Sequence, residues 1–312
     1  MEVTGRTALL LIWWAVLVSC SSDDQTVSNE PDPAPTIESF DGRSTSSFGD
    51  VDYRLFYVSN LEGTTNVIHV SRGGNGLGDD RSSLMPYVEA YVEAGYVVLQ
   101  IDHRFAGSDI EQIAQFRGEE IRFIAGRVAN NQLDFGPFPG SIDGSAQGFA
   151  GHSGGCMEGL MAAGTTMTHG DYTVPQLKAL YCMSPAGFDP DQFGIVQNPP
   201  GYSDVLSATA IFLIMGEQEK NINGPGVFMA NDWRLQPFDA MNAEAPRYQA
   251  FAAGNRTEHL DIRGENEEIR EYNIANSLAL FDTYLKDRSR QDEVGNLELP
   301  ENNDIELSVK GL

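Results

Sequence analysis

Basic residues are scarce in this chain. Its 312 residues include 20 Lys and Arg against 45 Asp and Glu, a net charge of −25. A surface of that sign repels phosphate backbones and anionic headgroups, which argues against nucleic acid as a partner and against adsorption to anionic lipid. Cysteine is scarce too, with only Cys20, Cys156 and Cys182. Neither these nor the five histidines fall at zinc-ligand spacing, so no metal is expected. Long apolar runs are lacking: residues 8–18 form a run too short to span a bilayer comfortably. The glycine-rich stretch 72–78 has no Gly-Lys-Ser/Thr after it, so it fails the Walker pattern of a phosphate cradle. No internal repeat and no Pro/Gly-rich linker interrupts residues 50–287. With 41% hydrophobic residues, the chain is long enough for one large, well-buried domain.

What is present at the N-terminus reads as targeting rather than fold. Arg6 precedes the apolar run, which ends in Leu17-Val18-Ser19-Cys20. That ending resembles the lipobox of bacterial lipoproteins, in which the cysteine is lipidated and becomes the mature N-terminus. The resemblance implies a signal peptide over 1–20 and a lipid anchor on Cys20 as the only membrane attachment. Ser21 in place of Asp implies the outer membrane. Residues 21–50, rich in Ser, Asp, Pro and Thr, read as a flexible tether. A domain over 51–287 and an acidic tail over 288–312 complete the expected organisation.

Within the domain, strand and helix patterns alternate. Residues 51–58 alternate in polarity and read as an antiparallel strand. Residues 66–71, 96–101, 177–183, 209–215 and 247–253 are short apolar runs of the kind buried in a parallel sheet. Helical patterns cover 82–94, 110–130 (Ile121, Ile124 and Val128 on one face) and 265–286 (Ile274, Leu278, Phe281 and Leu285 on one face). Residues 188–208 and 220–245 read as irregular. The pattern predicts an α/β fold with a mostly parallel, doubly wound sheet, helices on both faces and function at the carboxyl ends of the strands.

The stretch 145–160 carries the chemistry. A small-residue strand ends in Phe149-Ala150, turns through Gly151-His152-Ser153-Gly154-Gly155, and continues as a helix from Cys156. Gly-x-Ser-x-Gly between strand and helix is a nucleophile elbow. It exposes the serine hydroxyl on a tight turn and sets helix N-terminal amides beside it. Enzymes built on this elbow order their triad Ser, Asp or Glu, His. Only His259 follows Ser153 with strands between them, so it is the expected base. The acid is expected just past a strand: Glu219 first, with Glu217 and Asp189 as alternatives. The oxyanion donors are expected to be the amides of Gly154 and Gly74, with Gly73 the alternative to the latter. Cys156 and Cys182 are expected as buried thiols, close enough in the pattern to meet. Met157, Trp233, Phe238 and Met241 are expected as core, with an acyl pocket the second reading.

From 67 to 286 the sequence resembles the dienelactone hydrolases and the esterases similar to platelet-activating-factor acetylhydrolase, within the α/β-hydrolase superfamily. The resemblance rests on the loop 71–76, Gly95-Tyr96-Val97-Val98, Asp102-His103-Arg104, the elbow, Met183-Ser184-Pro185, Trp233-Arg234 to Phe238, and His259. It implies an α/β-hydrolase fold and a cofactor-free serine ester hydrolase acting on a small-molecule or polymer ester. Two positions depart from the pattern. Arg72 stands where the oxyanion motif has histidine, and Glu219 where the acid is usually aspartate. The alternatives are a hydrolase scaffold that binds a ligand without turnover, for which Arg72 speaks, and a peptidase on the same fold.

Overall fold

Every residue of the strand Ala210–Gly216 is buried, which demands cover on both faces of its sheet. The computed structural model describes residues 36–74, 81–104, 109–188, 193–219, 231–286, 289–296 and 304–312. The described strands are β1 (Ile37–Ser46), β2 (Gly49–Val58), β3 (Thr64–Ser71), β4 (Val97–Asp102), β5 (Ser141–His152), β6 (Leu177–Met183), β7 (Ala210–Gly216), β8 (Arg247–Ala253) and β9 (Asp304–Lys310). They form one sheet in the order β1-β2-β4-β3-β5-β6-β7-β8-β9. The run from β4 to β8 in that order is parallel, and β1, β2 and β9 join antiparallel.

Helices α1 (Met85–Glu93), α2 (Ile110–Ala129), α3 (Gly154–Ala162), α4 (Gln236–Ala240) and α5 (Glu267–Leu285) accompany the sheet. The strand period of two sends alternate side chains to opposite faces. Ile211, Leu213 and Met215 of β7 share a core with Ile121, Ile124 and Val128 of α2 and Met157 and Leu160 of α3. Ala210, Phe212 and Ile214 share the other core with Tyr87 and Val88 of α1 and Leu280 and Phe281 of α5. The protein is therefore α/β, with a mostly parallel sheet covered on both faces. β3 pairs with β4 on one side and β5 on the other, and the helices that follow β3 and β4 lie on opposite faces. That reversal makes the carboxyl ends of β3 and β5 the switch point of the sheet, the usual ligand position in such folds.

The sheet reaches further than the sequence pattern suggests. Part of the expected tether forms β1, whose full length pairs with β2. Part of the expected acidic tail forms β9, paired with β8 from Asp304 to Lys310. Both are edge strands with largely exposed faces, so their composition is polar and hides the pairing. Residues 1–20, including Cys20, lie outside the described residues. Among those described, no helix is long and apolar enough to cross a membrane.

The buried face of α5 also differs from expectation. Phe281 and Leu285 lie in the core, but Ile274 and Leu278 are only partly buried. In their place Asn273, Asn276 and Ser277 are fully buried. The Tyr181 hydroxyl donates to Asn273 Oδ1 at 2.8 Å and the Tyr91 hydroxyl to Ser277 Oγ at 2.8 Å. The Gly295 amide donates to Asn276 Oδ1 at 2.6 Å. A helix face built from satisfied polar groups is invisible to hydropathy.

This packing has a measurable consequence. Phe281 meets the Tyr91 ring edge-on at 5.3 Å, and Phe281→Ala should cost about 3–5 kcal/mol in urea unfolding. Ile274→Ala should cost less than half as much. Equal costs would put the helix in the rotation that its hydropathy suggests.

Candidate active site

β5 runs in register beside β3 and β6, pairing Gly151 with Ser71 and with Cys182. It turns at Ser153 directly into α3. Ser153 has φ 54° and ψ −118°, a region that an L-residue occupies only when its surroundings force it. The turn is held by Ser153 N–H to Met183 O at 2.9 Å and by Met157 N–H to Ser153 O at 3.0 Å. Gly151 and Gly155 are required by contact: a Cβ on Gly151 would strike the backbone of Gly155, and one on Gly155 the backbone of Ser71 and Arg72. With both positions bare, strand, helix and the loop after β3 close on one another. The first amides of α3 have no partner within the helix and point where negative charge can be held.

The loop after β3 abuts Ser153. A Cβ on Gly73 would lie 2.9 Å from Ser153 Cβ, and one on Gly154 would lie 3.4 Å from Gly74 O and 3.8 Å from Gly74 N. Gly74 has φ +76°, which favours glycine there. The structure thus brings both expected oxyanion residues, Gly74 and Gly154, and the alternative Gly73 beside Ser153.

Past β7, the chain turns back so that Glu219 Oε1 accepts from the Gly216 amide at 2.9 Å. Its other oxygen, Oε2, accepts from His259 Nδ1 at 2.9 Å and from Arg234 Nε at 3.0 Å. The carboxyl group is buried. Burial alone would raise its pKa, but Arg234, His259 and the Gly216 amide together hold it below the ordinary carboxylate value. With Nδ1 donating to Glu219, the other ring nitrogen of His259, Nε2, is left to take up a proton. Glu217, the alternative acid, is exposed, and its Oε2 accepts from the Gly254 amide at 3.0 Å. Asp189, the other alternative, lies outside the described residues.

Two residues whose types and spacing suggest no role in the sequence complete this cluster. Arg234, in the turn Asn231–Leu235 before α4, donates through Nη1 to Ser184 O at 3.1 Å and to Pro185 O at 3.0 Å. It ties the acid to the loop after β6. Its signal was a lone basic residue in an otherwise apolar Trp-Arg-Leu turn. His152, the residue before the nucleophile, packs its ring against His259 with centroids 4.4 Å apart. His152 Nε2 donates to the His259 carbonyl at 3.0 Å. Burial, then the neighbouring His259, Arg263 and Arg234, pushes the His152 pKa well below the usual imidazole range. It is therefore neutral, and its N–H anchors the His259 backbone to the turn at Ser153. The remaining histidines are bound elsewhere: His69 to Gln147 at 2.8 Å, and His169 to the Tyr172 hydroxyl at 2.7 Å.

A second buried charge cluster lies behind the loop after β3. His103 Nδ1 meets Glu120 at 2.7 Å and Nε2 meets Glu158 at 2.9 Å. Burial is the largest influence and opposes its charge, yet the Glu158 and Glu120 carboxylates together outweigh burial and Arg117, and the His103 pKa is raised. Glu158 likewise stays ionised: burial raises its pKa, but His103, Arg117 and Ser71 bring it below the ordinary value. Glu158 is the one charged residue of α3, and that isolation was its signal.

The cysteines are paired rather than free. Cys156 of α3 and Cys182 of β6 form a disulfide across a Cα–Cα distance of 4.7 Å. The pairing of Gly151 with Cys182 sets β6 under the first turn of α3, which brings the two together. Met157, Trp233, Phe238 and Met241 are buried members of one core, as ordinary packing residues are.

Glu219 supplies a pH test. Its pKa is lowered on folding, so it stabilises the fold fully above the ordinary carboxylate value of 4.5 and loses that contribution as pH falls through the lowered folded value. Glu219→Gln leaves Arg234 buried without its partner, and should cost about 3–5 kcal/mol at pH 7. The gap between the two proteins should narrow as pH drops below 4.5, read by urea unfolding at each pH. A gap independent of pH would mean that the Glu219 charge does not sustain the cluster. No family model matches the sequence, and comparison with curated proteins returns no match.

Proposed function

We propose that the protein is a serine hydrolase of the α/β-hydrolase type that cleaves carboxylic esters through an acyl-enzyme on Ser153. The observation that carries this reading is the strained serine on its strand-to-helix turn, with the buried His259–Glu219 pair linked to that turn through His152. Chain order, Ser153 then Glu219 then His259 by role, and the strand order of the sheet agree with it.

The chemistry follows from the positions. His259 Nε2 takes the proton of the Ser153 hydroxyl as Oγ bonds to the ester carbonyl carbon. The carbonyl oxygen becomes an oxyanion, held by the amides of Gly154 and Gly74. Glu219, ionised beside His259 Nδ1, stabilises the imidazolium that results. His259 returns the proton to the departing alkoxide as the tetrahedral intermediate collapses. Water then attacks the acyl-enzyme, its proton passing to His259 and on to Ser153 Oγ. No step needs a metal or a cofactor.

The scaffold-without-turnover reading is weakened by the same geometry, because a binding protein has no need of a strained serine or a buried base-acid pair. A lipid anchor on Cys20, facing an oxidising cell envelope, fits the Cys156–Cys182 disulfide, since such bonds persist outside the cytoplasm. The substrate is an ester small or exposed enough to reach Ser153 at the carboxyl ends of β3 and β5.

Hydrolysis of p-nitrophenyl acetate and butyrate by residues 21–312 tests the reading. The parent should turn over, and Ser153→Ala and His259→Ala should each lose roughly three or more orders of magnitude in kcat. A parent inactive on every short ester, or variants as active as the parent, would refute it.

A further inference from the structure

The loop after β3 is glycine-rich, and glycine loses more conformational freedom on ordering than any other residue. An oxyanion donor on such a loop needs an external hold, because donors act only when their direction is set before the charge develops. In the families that this sequence resembles, histidine stands where Arg72 does. The structure offers a different anchor.

Arg117 projects from α2 into the back of the loop and is almost fully buried. Its Nη1 donates to Arg72 O at 2.9 Å, and its Nη2 to Gly74 O at 3.0 Å and Gly73 O at 3.4 Å. One guanidinium therefore reaches three successive carbonyls, with short bonds to the first and third. Ser71 Oγ at 3.3 Å and Glu158 Oε2 at 3.4 Å lie further off than the Arg72 and Gly74 carbonyls, at about the distance of Gly73 O. A guanidinium placed to neutralise a carboxylate would approach it to about 2.8 Å. Glu158 Oε2 instead makes its short bonds to Ser71 Oγ at 2.6 Å and His103 Nε2 at 2.9 Å. The closest approach of Arg117 is to the loop.

The peptide unit converts that hold into a direction. In a trans peptide the C=O and the following N–H point opposite ways. With the Arg72 and Gly73 carbonyls drawn to Arg117, the amides of Gly73 and Gly74 face away from it. Gly73 abuts Ser153. We propose that Arg117 is a positioning residue for the oxyanion site: its planar fork fixes the three carbonyls of the 72–74 loop and so aims the Gly74 amide at the reacting oxygen. Glu158 on α3, itself held by Ser71 and His103, lies 3.4 Å from the guanidinium as its nearest counter-charge. This assignment rests on the ester-hydrolase reading for its catalytic consequence, but not for its geometry.

The test compares the parent with Arg117→Met and Arg117→Lys, and with Arg117→Met combined with Glu158→Gln, which removes both buried charges should the single variant fold poorly. Kinetics on p-nitrophenyl butyrate are normalised to the folded fraction from circular dichroism, and the loop is read in crystal structures. The expected result for Arg117→Met is a kcat lower by about 10²-fold, the size of losing one oxyanion donor, with KM within about twofold. Arg117→Lys should recover part of that loss, because an ammonium can hold some but not all of the three carbonyls. The Gly73–Gly74 peptide should be rotated in the Arg117→Met crystal. Unchanged kcat per folded molecule, a rise in KM alone, or a loss matched by the loss of folded protein would overturn the proposal. If the parent itself hydrolyses no ester, the ester-hydrolase reading fails, and the crystal of Arg117→Met still decides the positioning role: an unmoved Gly73–Gly74 peptide refutes it.

Discussion

The structure turns on the closeness of three backbones: the end of β3, the end of β5 and the start of α3. Gly151 and Gly155 have no room for a Cβ, and that absence lets the strand reverse into a helix within one residue. Ser153 is left at φ 54°, a conformation costing on the order of 1–3 kcal/mol that persists only where surrounding packing imposes it. Main-chain bonds to Met183 and Met157, the Cys156–Cys182 disulfide and the largely buried strands β3 and β6 on either side impose it here. The strain sits at one partly buried serine, and the surrounding packing holds it.

Around that turn the polar groups form two buried clusters with different tasks. In one, Glu219 joins Arg234, His259 and the Gly216 amide, and it connects the ends of β7 and β6 and the loop after β8. In the other, Arg117, Glu158, His103 and Ser71 connect the ends of β3 and β4 with α2 and α3. Each contains a carboxylate that remains charged against a strong burial cost because basic groups surround it. Removing one member leaves the others as uncompensated buried charges, which is why such clusters hold loops in single positions. His152 links the first cluster to the elbow, and Arg117 links the second to the loop facing it.

Much of the fold was legible because its signals are local. The runs 177–183 and 247–253 are read with the boundaries that β6 and β8 have, because each is a short stretch rich in apolar residues and flanked by turn residues. The elbow was legible because a strained turn admits few sequences. His259 was reached by elimination among a handful of histidines, and Glu219 by its place past a strand. The misses have a common cause. β1 and β9 are edge strands with largely exposed side chains, so their composition resembles that of a tether or tail, and the partner of β9 is also distant in sequence. The buried face of α5 is lined by Asn273, Asn276 and Ser277, satisfied by tyrosines and a glycine amide from elsewhere. Arg117 and Arg234 are single basic residues whose meaning lies in the carbonyls that they reach. Long-range hydrogen bonds leave no periodic trace.

The account stands on Ser153 being a nucleophile activated by its surroundings rather than a serine in an unusual turn. An alkyl fluorophosphonate, followed by mass mapping of the labelled peptide, reads this without any choice of substrate. The account predicts stoichiometric labelling on Ser153, abolished in Ser153→Ala and slowed by orders of magnitude in His259→Ala. Absence of labelling on Ser153 in the folded protein, or labelling indifferent to His259, would contradict it.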